Sequence, residues 1–467
     1  MISLNSERPL FVIVDGQDID AIFDIEVDGF DAAIPIVRLS ASPAGMTQTL
    51  NIESRAMKTV EMIRRMQPTG PYRLAGYFQG SLVAYETAFL LVGHEQAVDF
   101  VGLIGEWVRC GDYEPQQAAS IQVDLFAGFE RASDGTSEVR DWRALLSASQ
   151  FRQVAFPREQ PFAINREVVR MLTEAATKAS ERAYEIPEML YNPAVVIQAG
   201  QHGHTPLFCI PGAGGTVAGY VGLAAALGRD WPIYGLQPRG LESSLIPHSS
   251  VEAAADKYLQ AIEESQPRGA IHLLGHSFGG WVAFEIARKI CAGNREIASL
   301  TLVDSDAPGR RLIASQHTAL SLVEEYIEML ELAAEQPLGI EREPLESANQ
   351  AKRLAMIHSE MVRLGLLSAR TRSSVLEGSM RTFSSALRTA YQPQGEYPGP
   401  TRLVVVPDIR LDFHTNEKLN SQKISNWQSL APRLSYWEGP GNHLTILQPP
   451  AVWELAKWWL AGSESLG

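Results

Sequence analysis

The chain carries one pattern twice. Around Gly76 it reads YRLAGYFQGSLVAYETAFLL, and around Gly275 it reads IHLLGHSFGGWVAFEIARKI. Each stretch is an apolar strand, a glycine-bounded turn and a helix with apolar residues at helical spacing. Gly76 and Gly275, Glu86 and Glu285, and Pro68 and Pro267 all lie 199 positions apart. Upstream, RPLFVIVDG matches TPLFCIPGA and IPIVRL matches WPIYGL, both at an offset of 197. A loop absorbs the small difference. Four matched segments in one order argue for duplication rather than for two unrelated strand–turn–helix units. The 467 residues then divide near residue 190 into two related α/β units, 1–190 and 191–467.

Past the shared pattern both halves read as helix-rich. Residues 121–185 carry Val123, Leu125 and Phe126, then Val168, Val169, Met171 and Leu172; residues 318–391 carry Leu320, Leu322, Val323, Tyr326 and Met329. The second half goes on to the strand TRLVVVPD, then RLSYWEG and the helix AVWELAKWW. The first instead passes through Pro187–Pro193 and the strand AVVIQ into the second half, so it reads as a truncated copy.

Composition excludes several classes. A hydrophobic content of 45% is too high for disorder. The net charge of −14 argues against a phosphate-backbone binder, whose affinity needs clustered Lys and Arg. Cys110, Cys209 and Cys291 are too few and too scattered for a disulfide framework or a zinc ribbon, which suits a reducing compartment. The N-terminus lacks the basic start and apolar run of a signal peptide, and no run reaches the roughly 18 apolar residues of a spanning helix. The expectation is a cytoplasmic protein without nucleic-acid or membrane partners, needing neither metal nor cofactor.

The chemistry concentrates in the second half. Gly275-His276-Ser277-Phe278-Gly279 is a GxSxG pentapeptide between the strand AIHLL and the helix WVAFEIARKI, the setting of a nucleophile elbow. A serine hydroxyl needs a base to take its proton and an acid to orient that base, here following in the order serine, acid, histidine. The strand SLTLVD ends at Asp304, with Asp306 further into the loop and Asp408, after TRLVVVPD, as the main competitor. Of His317, His358, His414 and His443, the last sits in the glycine-rich loop EGPGNHLTILQPP, from which an imidazole can swing over the serine. The strand PLFCI runs into Pro211-Gly212-Ala213-Gly214-Gly215. Two amides, of Ala213 and Phe278, would form an oxyanion hole. That glycine-rich loop is not followed by Lys-Ser/Thr and carries no GxGxxG, so phosphate binding is disfavoured.

PLFCIPGAGG, IYGLQPRG, GHSFGGWVAFEIA, LVDSDAP and GNHLTIL together resemble the thioesterase domains of nonribosomal peptide and polyketide synthases, members of the α/β-hydrolase superfamily. The resemblance spans about residues 194–462. It implies an α/β-hydrolase fold with a mostly parallel central sheet and a helical lid over about 308–398, present twice with the first copy incomplete. It also favours Asp304 as the acid. The implied activity is a serine thioesterase that releases an acyl or peptidyl chain from a carrier protein's phosphopantetheine thioester by hydrolysis or cyclisation. An editing thioesterase and a carboxylesterase or lipase remain alternatives. The chain has no carrier-type serine motif, so the carrier would lie on another chain or elsewhere in a longer polypeptide.

The first half departs from this family at the chemistry. Phe78 stands at the Ser277 position and Gly105 at the Asp304 position, with Glu106 beside it; VDGQD replaces PGAGG and the histidine-bearing end is missing. Ser81, one helical turn further on, reads as a small packing residue, and His94 and Glu106 do not rebuild a triad by spacing. This copy is expected to be non-catalytic, serving in packing or as a carrier-protein docking module.

Overall fold

The computed structural model describes residues 8–14, 34–40, 51–105, 107–108, 113, 115, 121–127, 139–140, 142, 151–155, 166–181 and 191–463, except 202, 243–244, 294 and 310–316. The chain forms two compact units, one built mainly from residues 1–190 and the other mainly from 191–467.

In the first unit the elements are β1 (Leu10–Val14), β2 (Ile36–Ser40), α1 (Ile52–Met66), β3 (Tyr72–Tyr77), α2 (Gln79–Gly93), β4 (Val98–Ile104), β5 (Val123–Ala127), β6 (Phe151–Ala155) and α3 (Arg166–Glu181). The strands make a six-stranded sheet in the order β2-β1-β3-β4-β5-β6, every pair parallel. Parallel neighbours require crossovers, which α1 and α2 supply.

The second unit contains β7 (Ala194–Gln198), β8 (Leu207–Ile210), α4 (Val221–Leu227), β9 (Ile233–Leu236), α5 (Val251–Ser265), β10 (Ile271–His276), α6 (Phe278–Ala292) and β11 (Ile297–Val303). An insertion of four helices follows: α7 (Ala319–Ala334), α8 (Arg342–Ser347), α9 (Gln350–Arg363) and α10 (Val375–Arg388). The chain then returns to the sheet through β12 (Thr401–Val405), α11 (Phe413–Gln428), β13 (Leu434–Glu438) and α12 (Ala451–Ser463). The seven strands run β13-β12-β11-β10-β8-β9-β7, parallel except for β9 with β7. This is the α/β-hydrolase fold.

The duplication is kept residue by residue. Helices α5 and α6 and strands β10 and β11 each begin 199 positions after α1, α2, β3 and β4; β8 and β9 begin 197 after β1 and β2. Both sheets are covered on two faces, so their strands are apolar at consecutive positions. Along β8, Phe208 and Ile210 pack towards α5 and α6, while Leu207 and Cys209 pack towards α4 and α12.

Residues 121–155 correct the sequence reading. They hold the strands β5 and β6, which extend the sheet in parallel beyond β4; only the later stretch, α3, is helical. Val123 and Leu125 face one core layer and Phe126 the opposite one, the period-two pattern of a strand. A five-residue segment such as VDLFA is too short for periodicity to separate strand from helix. The first copy therefore keeps counterparts of β12, β13 and α12. Among the described residues it shows no counterpart of the antiparallel edge strand, of the four-helix insertion, or of α4 and α11.

Buried His272 makes the second unit sensitive to acid. His272 on β10 is 4% exposed, shares a hydrogen bond with Ser299 Oγ (2.7 Å), and packs against Trp231 and Trp459. Burial, reinforced by the charge of Arg402, lowers its pKa from 6.5 to about 4. Between those values the unfolded chain takes up a proton that the folded chain refuses, so stability is full above pH ~6.5 and falls as the pH drops towards 4. Denaturant titrations across this range should show a loss on the order of 2 kcal/mol attributable to His272, and His272→Gln should flatten that part of the slope.

Candidate active site

Strand β10 ends in a turn that few residues tolerate. Ser277 has φ 53° and ψ −124°, a strained conformation for a side chain with a Cβ. Its amide donates to Val303 O (2.9 Å), and its carbonyl accepts from the amide of Gly280 (2.9 Å). The flanking glycines are obligatory. A Cβ on Gly275 would fall 2.3 Å from the carbonyl oxygen of Gly279, and one on Gly279 would fall 2.3 Å from that of Ile210. Helix α6 starts immediately afterwards, so the Phe278 amide is among the first-turn donors that have no acceptor within the helix.

Asp304 follows β11 at φ 43°, with its amide bonded to Val404 O (2.8 Å). Ser277 and Asp304 thus leave neighbouring strands at the carboxyl edge of the sheet, where open α/β sheets present their ligand sites. His443 comes from the loop between β13 and α12. It is held rather than swinging freely. Fully buried Asn442 accepts from the amides of Leu444 (2.9 Å) and Thr445 (3.0 Å), and the ring of His276 bonds to His443 O (2.7 Å). A carbonyl only accepts, so His276 donates from Nε2. Burial keeps that imidazole neutral, lowering its pKa to about 3.

These elements bring three side chains into series. His443 Nε2 lies 3.0 Å from Ser277 Oγ, and Nδ1 lies 2.7 Å from Asp304 Oδ2. The ionised carboxylate can only accept, so the proton sits on Nδ1 and the Nε2 lone pair faces the hydroxyl. Burial alone would raise the Asp304 pKa. The hydrogen bond from His443 and the positive charge of Lys423 outweigh it and bring the value down to about 2. Asp304 therefore stays ionised throughout the physiological range.

The remaining sequence candidates fall elsewhere. Asp408 is engaged by Arg410 through backbone amide and guanidinium, and Asp306 lies near Lys423 (3.4 Å). His358 bonds to Thr371 O (2.7 Å) within the helical insertion, and the His414 side chain is 90% exposed beside Glu417. The loop carrying Ala213 passes close to the serine: a Cβ on Gly212 would sit 2.9 Å from Ser277 Cβ. Ala213, Ser277 and His443 all line one open cavity of about 450 Å³, walled on the insertion side by Met329, Leu332 and Phe383. Sequence reasoning missed Lys423, Asn442 and the supporting role of His276. Asn442 carried a faint signal, a short polar side chain directly before the histidine; Lys423 carried none.

The first unit keeps the turn, with a phenylalanine at the position of the serine. Phe78 has φ 48° and ψ −115°, its amide bonds to Ile104 O (2.9 Å), and Gly105 has φ 79°. The Phe78 ring packs 3.3 Å from where a Gly105 Cβ would stand. Ser81 is fully buried, donating to Gly76 O (2.9 Å). His94 caps the far end of α2, about 24 Å along the helix from Phe78. Residues 156–165, between β6 and α3, contain no histidine. Glu106 and residues 15–18 of VDGQD lie outside the described residues.

Among the described residues there is no cluster of His, Cys, Asp and Glu able to hold a metal ion, and no helix long and apolar enough to cross a membrane.

A family model for the thioesterase domain matches residues 36–150 and 205–459. The chain is 43% identical over 101 residues to the nonribosomal peptide synthetase btyA of Aspergillus terreus, which is 21% of this chain and 11% of that protein. It is 29% identical over 257 residues to the vanchrobactin synthetase VabF of Vibrio anguillarum, 54% of this chain and 8% of that protein. These matches span a small part of the relatives' length. A crystal structure of a four-domain nonribosomal peptide synthetase bound to AMP and glycine has the same fold, with a TM-score of 0.50 and 20% identity over 63% of this chain and 22% of that one.

The close packing of the elbow is testable by itself. Gly279→Ala, whose Cβ would meet backbone atoms of Ile210 and Pro211, should lower stability by about 2–3 kcal/mol in denaturant unfolding. Gly293→Ala, where the nearest atoms are 3.5 Å away, should change it by less than about 1 kcal/mol.

Proposed function

Because the chain belongs to the thioesterase domain family, we propose that its second unit is a serine thioesterase with Ser277 as nucleophile, His443 as general base and acid, and Asp304 as the orienting carboxylate. The observation that carries this reading is the unbroken series from Asp304 Oδ2 through His443 to Ser277 Oγ, at 2.7 and 3.0 Å. The substrate is an acyl or peptidyl chain held as a thioester on the phosphopantetheine arm of a carrier protein. The similarity to nonribosomal peptide synthetases supports that choice.

The chemistry follows from the geometry. His443 Nε2 takes the proton of Ser277 as Oγ attacks the thioester carbonyl. The imidazolium is stabilised across Nδ1 by Asp304, which stays ionised. The oxyanion is held by the amides of Phe278 and Ala213, the first strengthened by the positive end of helix α6. As the intermediate collapses the C–S bond breaks, and the thiol departs with the proton from His443. Water, or a hydroxyl or amine of the acyl chain, then gives its proton to His443 and attacks the ester carbonyl, freeing Ser277. The insertion from α7 to α10 is the lid of the acyl cavity. Residues 1–190, with Phe78 in place of the serine, take no part in the chemistry.

Incubation with acyl-loaded carrier protein should leave a transient acyl adduct on the Ser277 peptide in mass spectrometry. Ser277→Ala should lose release by a factor on the order of 10⁵, and Phe78→Ser should add no second acylation site. Full activity in Ser277→Ala would overturn the assignment.

A further inference from the structure

Asp304 has two oxygens, and only one is used by His443. The other faces a lysine. Lys423 Nζ lies 2.6 Å from Asp304 Oδ1 and 3.4 Å from Asp306 Oδ1, and its side chain is 14% exposed against 6% for Asp304. Burial works against the ammonium, but the two carboxylates outweigh it and raise its pKa, so the lysine is charged.

The placement is structural rather than accidental. Helix α11 is polar and mostly exposed, with Trp427 as its buried residue. Residues four apart share one face of a helix, and Lys423 and Trp427 both reach the loop after β11. Trp427 Nε1 donates to Ser305 O (2.7 Å), anchoring the helix to the backbone beside Asp304 while the ammonium takes the carboxylate itself. A carboxylate with one hydrogen-bonded oxygen can still rotate about its Cβ–Cγ bond; one gripped at both oxygens cannot.

We propose that Lys423 is a positioning residue for the Asp304–His443 pair, fixing the carboxylate plane and opposing, by its charge, the imidazolium that forms opposite it. This rests on the reading of Ser277, His443 and Asp304 given above. The other charged or titratable groups around the pair, among the described residues, are His276 on β10, Asp306 after β11, Asp408 with Arg410 after β12, and Glu325 and Glu328 of α7, of which Glu328 also pairs with Arg410 (3.3 Å). His276 is neutral, and Asp408 is paired with Arg410. Lys423 is therefore the cation in direct contact with Asp304, and its removal strengthens the field that favours imidazolium.

The test is the pH dependence of kcat/KM for hydrolysis of an acyl-N-acetylcysteamine thioester by the full chain and its Lys423 variants. In Lys423→Met the acid limb should move to higher pH by about half a unit or more, and the plateau should fall about tenfold or more. Lys423→Gln keeps a donor but no charge, so its limb should move similarly with a smaller fall in plateau; it carries the test should the Met variant not fold. Lys423→Arg should restore the wild-type limb. A limb that stays at the wild-type pH in the Met and Gln variants, with rates that merely track melting temperature, overturns the proposal. Ser277→Ala in the same assay separates the two failures. If it is active, the catalytic reading itself falls; if it is inactive while the Lys423 variants keep the wild-type limb, only the role of Lys423 falls.

Discussion

The second unit is organised around a strand that must turn sharply into a helix at a residue with positive φ. That turn, at Ser277, is possible because Gly275 and Gly279 leave no Cβ where backbone already stands. It aims Oγ out of the sheet edge, points the amides of α6 at the same spot, and brings β11 alongside so that Asp304 emerges next to it. The first unit makes the same turn at Phe78, with nearly the same dihedral angles and the same amide bond to the neighbouring strand. The elbow is thus a property of the fold. The side chain at the turn is set separately, and in the first unit the same backbone carries the Phe78 ring packed over Gly105.

Electrostatics then sorts the charged groups of the site into distinct roles. His276 and His443 pack ring to ring, with centroids 4.8 Å apart. Burial keeps His276 neutral and makes it a fixed donor to the backbone of its neighbour. Asp304, equally hidden from water, keeps its charge because His443 and Lys423 both bind it. A buried carboxylate without such partners would be protonated and could not orient an imidazole.

Much of this was legible in the sequence, and the exceptions have physical causes. The duplication could be read because offsets of 197 and 199 persist through strands, turn and helix, and the structure keeps them at the starts of paired elements. Ser277, Asp304 and His443, which the fold brings into one hydrogen-bonded series, each stand in a local signature: a glycine-bounded turn, an apolar strand closing on a carboxylate, a glycine-rich loop before the last helix. Strands β5 and β6 are hard to read because segments of five residues are too short for periodicity to separate strand from helix. Lys423 was invisible because its partner is 119 positions away and nothing in the polar sequence of α11 marks one lysine as buried. Long-range pairs of this kind are decided by the packing of the sheet, which no local pattern encodes.

The central claim is that one elbow of the two carries an activated nucleophile. Peptide mapping after exposure of the full chain to a fluorophosphonate, which phosphonylates activated serines, tests it most directly. The account predicts a single adduct, on the peptide containing Ser277, which disappears in His443→Ala. Labelling of a first-unit serine such as Ser81, or no labelling of Ser277 in the folded wild-type chain, would contradict it.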